Sequence, residues 1–188
     1  MTRVVIVGGS AAGMAAAAKA KRVNRELEVR GIGRVVIVGG YATELYSGAA
    51  YRTGDVDVVI DTPRVGDARA LLDNALASMG AQKRSGRIYE AELFGVIALD
   101  VVGYSFEGRV KRLRVDDGYV YVESPEDNVA TSLSACVHWR SDLDCEKAAA
   151  VLSAQRDVID WGYLEERCRR EGTLEKLRDI KRRVFGEE

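Results

Sequence analysis

The sequence predicts a mixed α/β fold whose front part alternates strands with helices and whose back part is helical. Three observations carry this. A β-branched run ends in paired glycines at Arg3-Val-Val-Ile-Val-Gly-Gly9 and recurs letter for letter at Arg34-Val-Val-Ile-Val-Gly-Gly40. Two alternating apolar–polar segments flank Asp117-Gly118, a strong two-residue hairpin signal. From Pro125 onward, helix formers recur at helical spacing. With 188 residues, 47% hydrophobic and 30% charged, the chain can bury an ordinary core, and its composition excludes disordered and collagen-like proteins.

The elements follow in order. Residues 3–9 read as a strand and residues 11–27, rich in Ala, Lys, Arg and Glu, as a helix. Residues 34–40 are a second short buried strand, and a helical stretch at 42–46 precedes a loop of small residues. Residues 56–60 form a β-branched strand that Pro63 ends. Residues 67–78 carry Leu71, Leu72, Ala75 and Leu76 at helical spacing and stop at Gly80. Strands are expected at 87–92 and 96–103, then the hairpin pair 109–115 and 119–122. Ser124-Pro-Glu-Asp127 opens the helical part, with proline at the first turn and acids where the helix dipole favours them. Helices are expected at 126–139, 143–155, 160–170 and 174–184. Trp139 and Trp161, flanking helices, read as core anchors. The organisation is thus a strand–helix extension at 1–33, a core at 34–123 and a helical region at 124–188.

Several function classes drop out. Cys136, Cys145 and Cys168 are odd in number and contain no Cys-x-x-Cys pair, which argues against a disulfide framework or a zinc ribbon. His138 is the sole histidine, so a His-rich metal site is excluded. A net charge of −1 gives no global drive toward nucleic acid or anionic lipid. No apolar run approaches the roughly 20 residues a bilayer requires. The expectation is a cytoplasmic protein without a secretory leader or a membrane partner.

The most informative segment is Gly39-Gly40 followed by Asp55-Val56-Asp57. On a strand, Asp55 and Asp57 project from one face, about 7 Å apart along the chain. Two carboxylates held together in an apolar strand are costly unless a cation neutralises them. Mg²⁺ (or Mn²⁺) is the suited ion, because it takes oxygen ligands and completes its shell with phosphates. Asp100 interrupts the apolar run 96–102 and becomes a third ligand if that run pairs beside the first. Paired glycines between strand and helix let backbone amides approach a phosphate at a helix N-terminus. Arg52 stands where it can meet a phosphate oxygen.

Val38-Gly39-Gly40-Tyr41-Ala42 with Tyr51-Arg52-Thr53-Gly54-Asp55-Val56-Asp57-Val58 resembles the signature of the DNA-polymerase-β-like nucleotidyltransferase superfamily, and is similar to AbiEii-type small prokaryotic nucleotidyltransferase-like proteins. Ser124-Pro-Glu-Asp127 and the stretch from Arg140 to Asp144 resemble their helical part. The resemblance implies a small mixed sheet of the nucleotidyltransferase type flanked by helices. It also implies two-metal transfer of an NMP group from an NTP to an acceptor hydroxyl. Asp55, Asp57 and Asp100 would then be the metal ligands and catalytic acids, with Gly39, Gly40, Arg52 and Thr53 at the nucleotide. Where such relatives place a lysine after the Glu-Asp turn, this chain has Thr131 and Ser132, and Arg140 is the candidate substitute.

The acceptor class stays open among RNA, protein and small molecule. Two alternatives accompany this reading. One is a nucleotide-binding or toxin–antitoxin-type module with little catalysis, whose partner would be a cognate antitoxin. The other is a flavin or NAD oxidoreductase fragment on Gly8-Gly-Ser-Ala-Ala-Gly13. Against the latter, Ser10 replaces the middle glycine of the dinucleotide pattern, and no acid ends the following strand. Residues 164–184 hold eight basic against five acidic side chains, a solvated helix face or an RNA contact.

Overall fold

The computed structural model describes residues 34–186 apart from 64, 79, 87, 92–94, 116 and 117. The expected strand and helix within 1–33, and with them the dinucleotide motif, lie outside the described residues. The elements are β1 (Arg34–Val38), α1 (Gly39–Tyr46), β2 (Asp55–Asp61), α2 (Val65–Ser78), β3 (Gln82–Ser85), β4 (Ile88–Ala91), β5 (Gly95–Gly103), β6 (Val110–Val115) and β7 (Gly118–Glu123), then α3 (Pro125–His138), α4 (Asp142–Gln155), α5 (Trp161–Arg170) and α6 (Leu174–Phe185). The fold class matches the expectation. β3 was not anticipated: its Gln-Lys-Arg-Ser sequence is fully exposed and offers no alternation to read.

One sheet orders these strands β3-β4-β5-β2-β1-β7-β6. It is mixed: β1 runs antiparallel to β2 but parallel to β7, and β2 runs parallel to β5. The hairpin expected around Asp117-Gly118 is present as β6 and β7, paired from Val110↔Glu123 to Val115↔Gly118.

Alternation along the strands divides the sheet into two faces. Val35, Ile37, Val56, Val58, Ile60, Val120 and Val122 join Leu72, Leu76, Val129, Leu133, Leu152 and Leu164 in the main apolar cluster beneath the helices. Val36, Val38, Val59 and Tyr121 face the other way and form a smaller cluster with Phe106 and Val110. Asp55 and Asp57 share the parity of Val59, so they stand on the face away from the helices.

The helical part is tied to the sheet by capping. Ser124 Oγ accepts from the Asp127 amide at 3.1 Å, with Pro125 in the first turn as expected. Asp127, almost wholly buried, accepts in turn from the Arg109 amide at 2.7 Å and from the Tyr163 hydroxyl at 2.8 Å. The Arg109 guanidinium lies 3.7 Å from the centre of the Tyr163 ring and pairs with Asp160 at 2.7 Å. Strand entry, α3 and α5 thereby meet at one node.

Two sequence expectations are corrected. Cys136 and Cys145 form a disulfide, because α3 ends and α4 begins across a turn of three residues that sets the two side by side. Spacing statistics for frameworks say nothing about such a local bridge. Trp139 is 81% exposed and is no core anchor, since it follows the last residue of α3 on that turn. Trp161 does pack against the core, edge-on to Phe185. No described helix is long and apolar enough to cross a membrane.

Candidate metal and nucleotide site

Three carboxylates meet where the sequence placed them. Register pairs Asp57 with Asp100 directly across the parallel β2–β5 ladder, and Asp55 lies two residues back on the same face. One carboxylate oxygen from each of Asp55, Asp57 and Asp100 lies within 4.8 Å of the other two, and all three residues are half-buried. Among the described residues no other group of three His, Cys, Asp or Glu side chains comes so close. Three acids at this separation repel one another, and an all-oxygen donor set suits a hard divalent ion.

The glycine corner closes over these acids. Gly39 begins α1 at φ +64, and a Cβ there would lie 2.8 Å from Asp57 Oδ2. A larger residue is therefore excluded twice, by backbone conformation and by the carboxylate itself. A Cβ on Gly40 would stand 3.3 Å from Thr53 Oγ1, and that hydroxyl donates to Asp55 Oδ1 at 2.6 Å. The start of α1, Thr53 and two of the acids thus share one locus.

One detail departs from the simplest phosphate cradle. The Gly39 amide does not face the acids' side as a free donor, since it donates to Glu123 Oε1 at 2.7 Å. The Gly40 amide comes next in the first helical turn, where no carbonyl of the helix can accept it. Val38, at the N-cap, provides no side-chain bond to the helix. Thr53 is fixed from behind, its amide donating to Glu44 Oε2 at 3.2 Å.

Arg52 is exposed on the loop three residues before Asp55. Arg140 is not brought here. It follows the far end of α3 with φ +55, and Asn128, which does contact Gly39, lies about 15 Å away from that end along the helix axis.

The residues that sequence reasoning missed stand behind the corner. They are Thr43, Glu44, Glu123 and Asn128. Asn128 Nδ2 donates to the Gly39 carbonyl at 3.1 Å and to Glu123 Oε1 at 2.8 Å. Tyr46 donates its hydroxyl to the Glu123 carbonyl at 2.6 Å. Burial pushes the Glu123 carboxyl up to about 7, although the bonds from Asn128 and Gly39 favour its charged form. Burial likewise raises the Tyr41 and Tyr46 hydroxyls, with nearby acids adding to it. An acid closing an alternating strand was the only available signal for Glu123.

The fold is shared with a known structure. The crystal structure of an antigenic nucleotidyltransferase-like protein from Paracoccidioides brasiliensis superposes with a TM-score of 0.62 at 16% identity, covering 96% of this chain and 99% of that one. ANT(2″)-Ia in complex with adenylyl-2″-tobramycin matches with a TM-score of 0.49 at 11% identity, over 80% of this chain and 93% of that one. No protein-family profile matches the sequence, and no curated protein matches it significantly. At 16% identity the first of these likenesses establishes a shared fold alone.

Proposed function

We propose that the protein is a Mg²⁺-dependent nucleotidyltransferase that moves an NMP group from an NTP to an acceptor hydroxyl. The observation that carries this is the convergence of Asp55, Asp57 and Asp100 beside the first turn of α1. The closeness to AbiEii-type proteins belongs to the same proposal and rests on the glycine and aspartate motif at 38–58, the Ser124–Asp127 turn and the stretch from Arg140 to Asp144.

Asp55, Asp57 and Asp100 would hold the ion, which when bound offsets phosphate charge and makes the acceptor hydroxyl a better nucleophile. The helix start at Gly40 receives phosphate oxygens, and Arg52 on the adjoining loop adds positive charge. Asp100 takes the proton as the acceptor oxygen bonds to the α-phosphorus. The bond from that phosphorus to the bridging oxygen breaks, and pyrophosphate leaves.

The test is incubation of the purified chain with α-labelled NTPs, Mg²⁺ and RNA, protein or small-molecule fractions of a cell extract. Label enters one fraction, and Asp57→Ala lowers the rate at least about 100-fold by removing metal stabilisation of the transferring group. Binding of NTP and metal with no transfer to any fraction identifies a nucleotide-binding module instead. A yellow preparation with flavin absorbance would return the function to the first glycine motif.

A further inference from the structure

Glycine adopts positive and negative φ about equally readily, so nothing intrinsic to Gly39 selects the left-handed turn that brings it against Asp57. The selection comes from outside the corner. On one side the Gly39 amide donates to Glu123 Oε1 at 2.7 Å, from the last residue of β7. On the other the Gly39 carbonyl accepts from Asn128 Nδ2 at 3.1 Å, from the first turns of α3. Thr43 Oγ1 lies 3.2 Å from that carbonyl and 3.0 Å from Asn128 Oδ1, its single proton serving one at a time.

Asn128 also donates to the same Glu123 oxygen that receives Gly39, at 2.8 Å. The two clamping side chains therefore fix each other. Glu123 is 3% exposed and Asn128 1%, so water does not compete for these bonds. A buried acid is an expensive choice at this position, and a purely structural role could be filled by an apolar side chain. What the acid provides is an acceptor oxygen aimed at one backbone amide.

Taking the nucleotidyltransferase reading as its basis, we propose that Glu123 is a positioning residue of the nucleotide site. Together with Asn128 it holds the Gly39 peptide in the turn that seats the start of α1 over Asp57. It touches neither metal nor nucleotide and acts through Gly39.

The test compares the full-length wild type with Glu123→Gln, Glu123→Ala and Tyr46→Phe. Tyr46→Phe removes a bond to the Glu123 backbone carbonyl and so perturbs stability while leaving the Glu123 carboxyl with its bonds from Gly39 and Asn128. Two quantities are read: amide hydrogen exchange at Gly39, and affinity for Mn²⁺–ATP by calorimetry. Glu123→Ala speeds Gly39 exchange and weakens Mn²⁺–ATP at least about tenfold, the scale of a lost charge-assisted bond. Glu123→Gln, whose amide oxygen still accepts from Gly39, stays within about threefold, and Tyr46→Phe within about twofold. Unchanged Gly39 exchange in Glu123→Ala overturns the inference. So does an affinity equal to wild type, or an equal loss in Tyr46→Phe. If the wild type binds no Mn²⁺–ATP, the proposed function fails separately, and the Gly39 exchange rate alone decides whether the clamp exists.

Discussion

At Glu123 the fold holds a carboxyl nearly dry, and its titration leaves a mark on stability. Its folded-state value of about 7 lies above the ordinary 4.5. Between those values the folded chain binds more protons than the unfolded one, so stability falls as pH rises through that window and is highest below it. The contribution is about 3 kcal/mol over the full window. Urea denaturation at pH 4.5, 6 and 8 checks it: wild type loses this amount relative to Glu123→Gln across the series, and a constant difference contradicts the assignment. Asp55 and Asp57 were legible because i, i+2 spacing on a strand fixes a shared face. Glu123 was not, since its role depends on β1 and β7 being neighbours, a relation between residues 84 apart.

At the scale of elements, the opening of α3 at Ser124-Pro125 was read from the sequence, whereas the caps of α4 and α5 came from the structure. Ser124, Ser141 and Asp160 each accept a bond from the amide three residues on, at the starts of α3, α4 and α5. β3 was unreadable because an exposed edge strand needs no apolar face. Three of the eight basic residues in 164–184 pair within their own helices, Arg169 with Glu166, Arg178 with Glu175 and Arg182 with Asp179. The α3–α4 connection gives a direct prediction. The bridge between Cys136 and Cys145 leaves Cys168 free and buried, its thiol pushed up to about 11 by burial. Alkylation followed by mass measurement adds no label to the native protein, one after denaturation and three after reduction and denaturation. Reduction lowers unfolding stability by about 2–3 kcal/mol, from the loop entropy of a nine-residue separation. Two labels on the native chain would contradict the pairing.

For the whole molecule, the class of fold followed from local pattern, but the strand order did not. Nothing in a strand's own letters says that β1 pairs antiparallel on one side and parallel on the other. The same limit hid the node at Asp127, where bonds from the Arg109 amide, Ser124 and Tyr163 converge with the Arg167 guanidinium. Because that node joins sheet to helices, Asp127→Ala costs about 3 kcal/mol and lowers one shared melting transition. Far-UV and near-UV circular dichroism melts that stay coincident and shift together confirm it. Separate transitions in the wild type would show that the two parts unfold independently.

The pairing of Asp57 with Asp100 dictates how faithfully the strands must be threaded, since the register of β2 against β5 shifts only past Val58, at a bulge. Everything N-terminal to it on β2 is held in step with β5, which keeps Asp57 opposite Asp100. A slip of one position there would turn both β2 acids into the oily layer under the helices and bring valines outward. An out-of-step sheet would thus be penalised on both surfaces at once, so the charges proposed for chemistry also proofread the assembly of the strands that carry them.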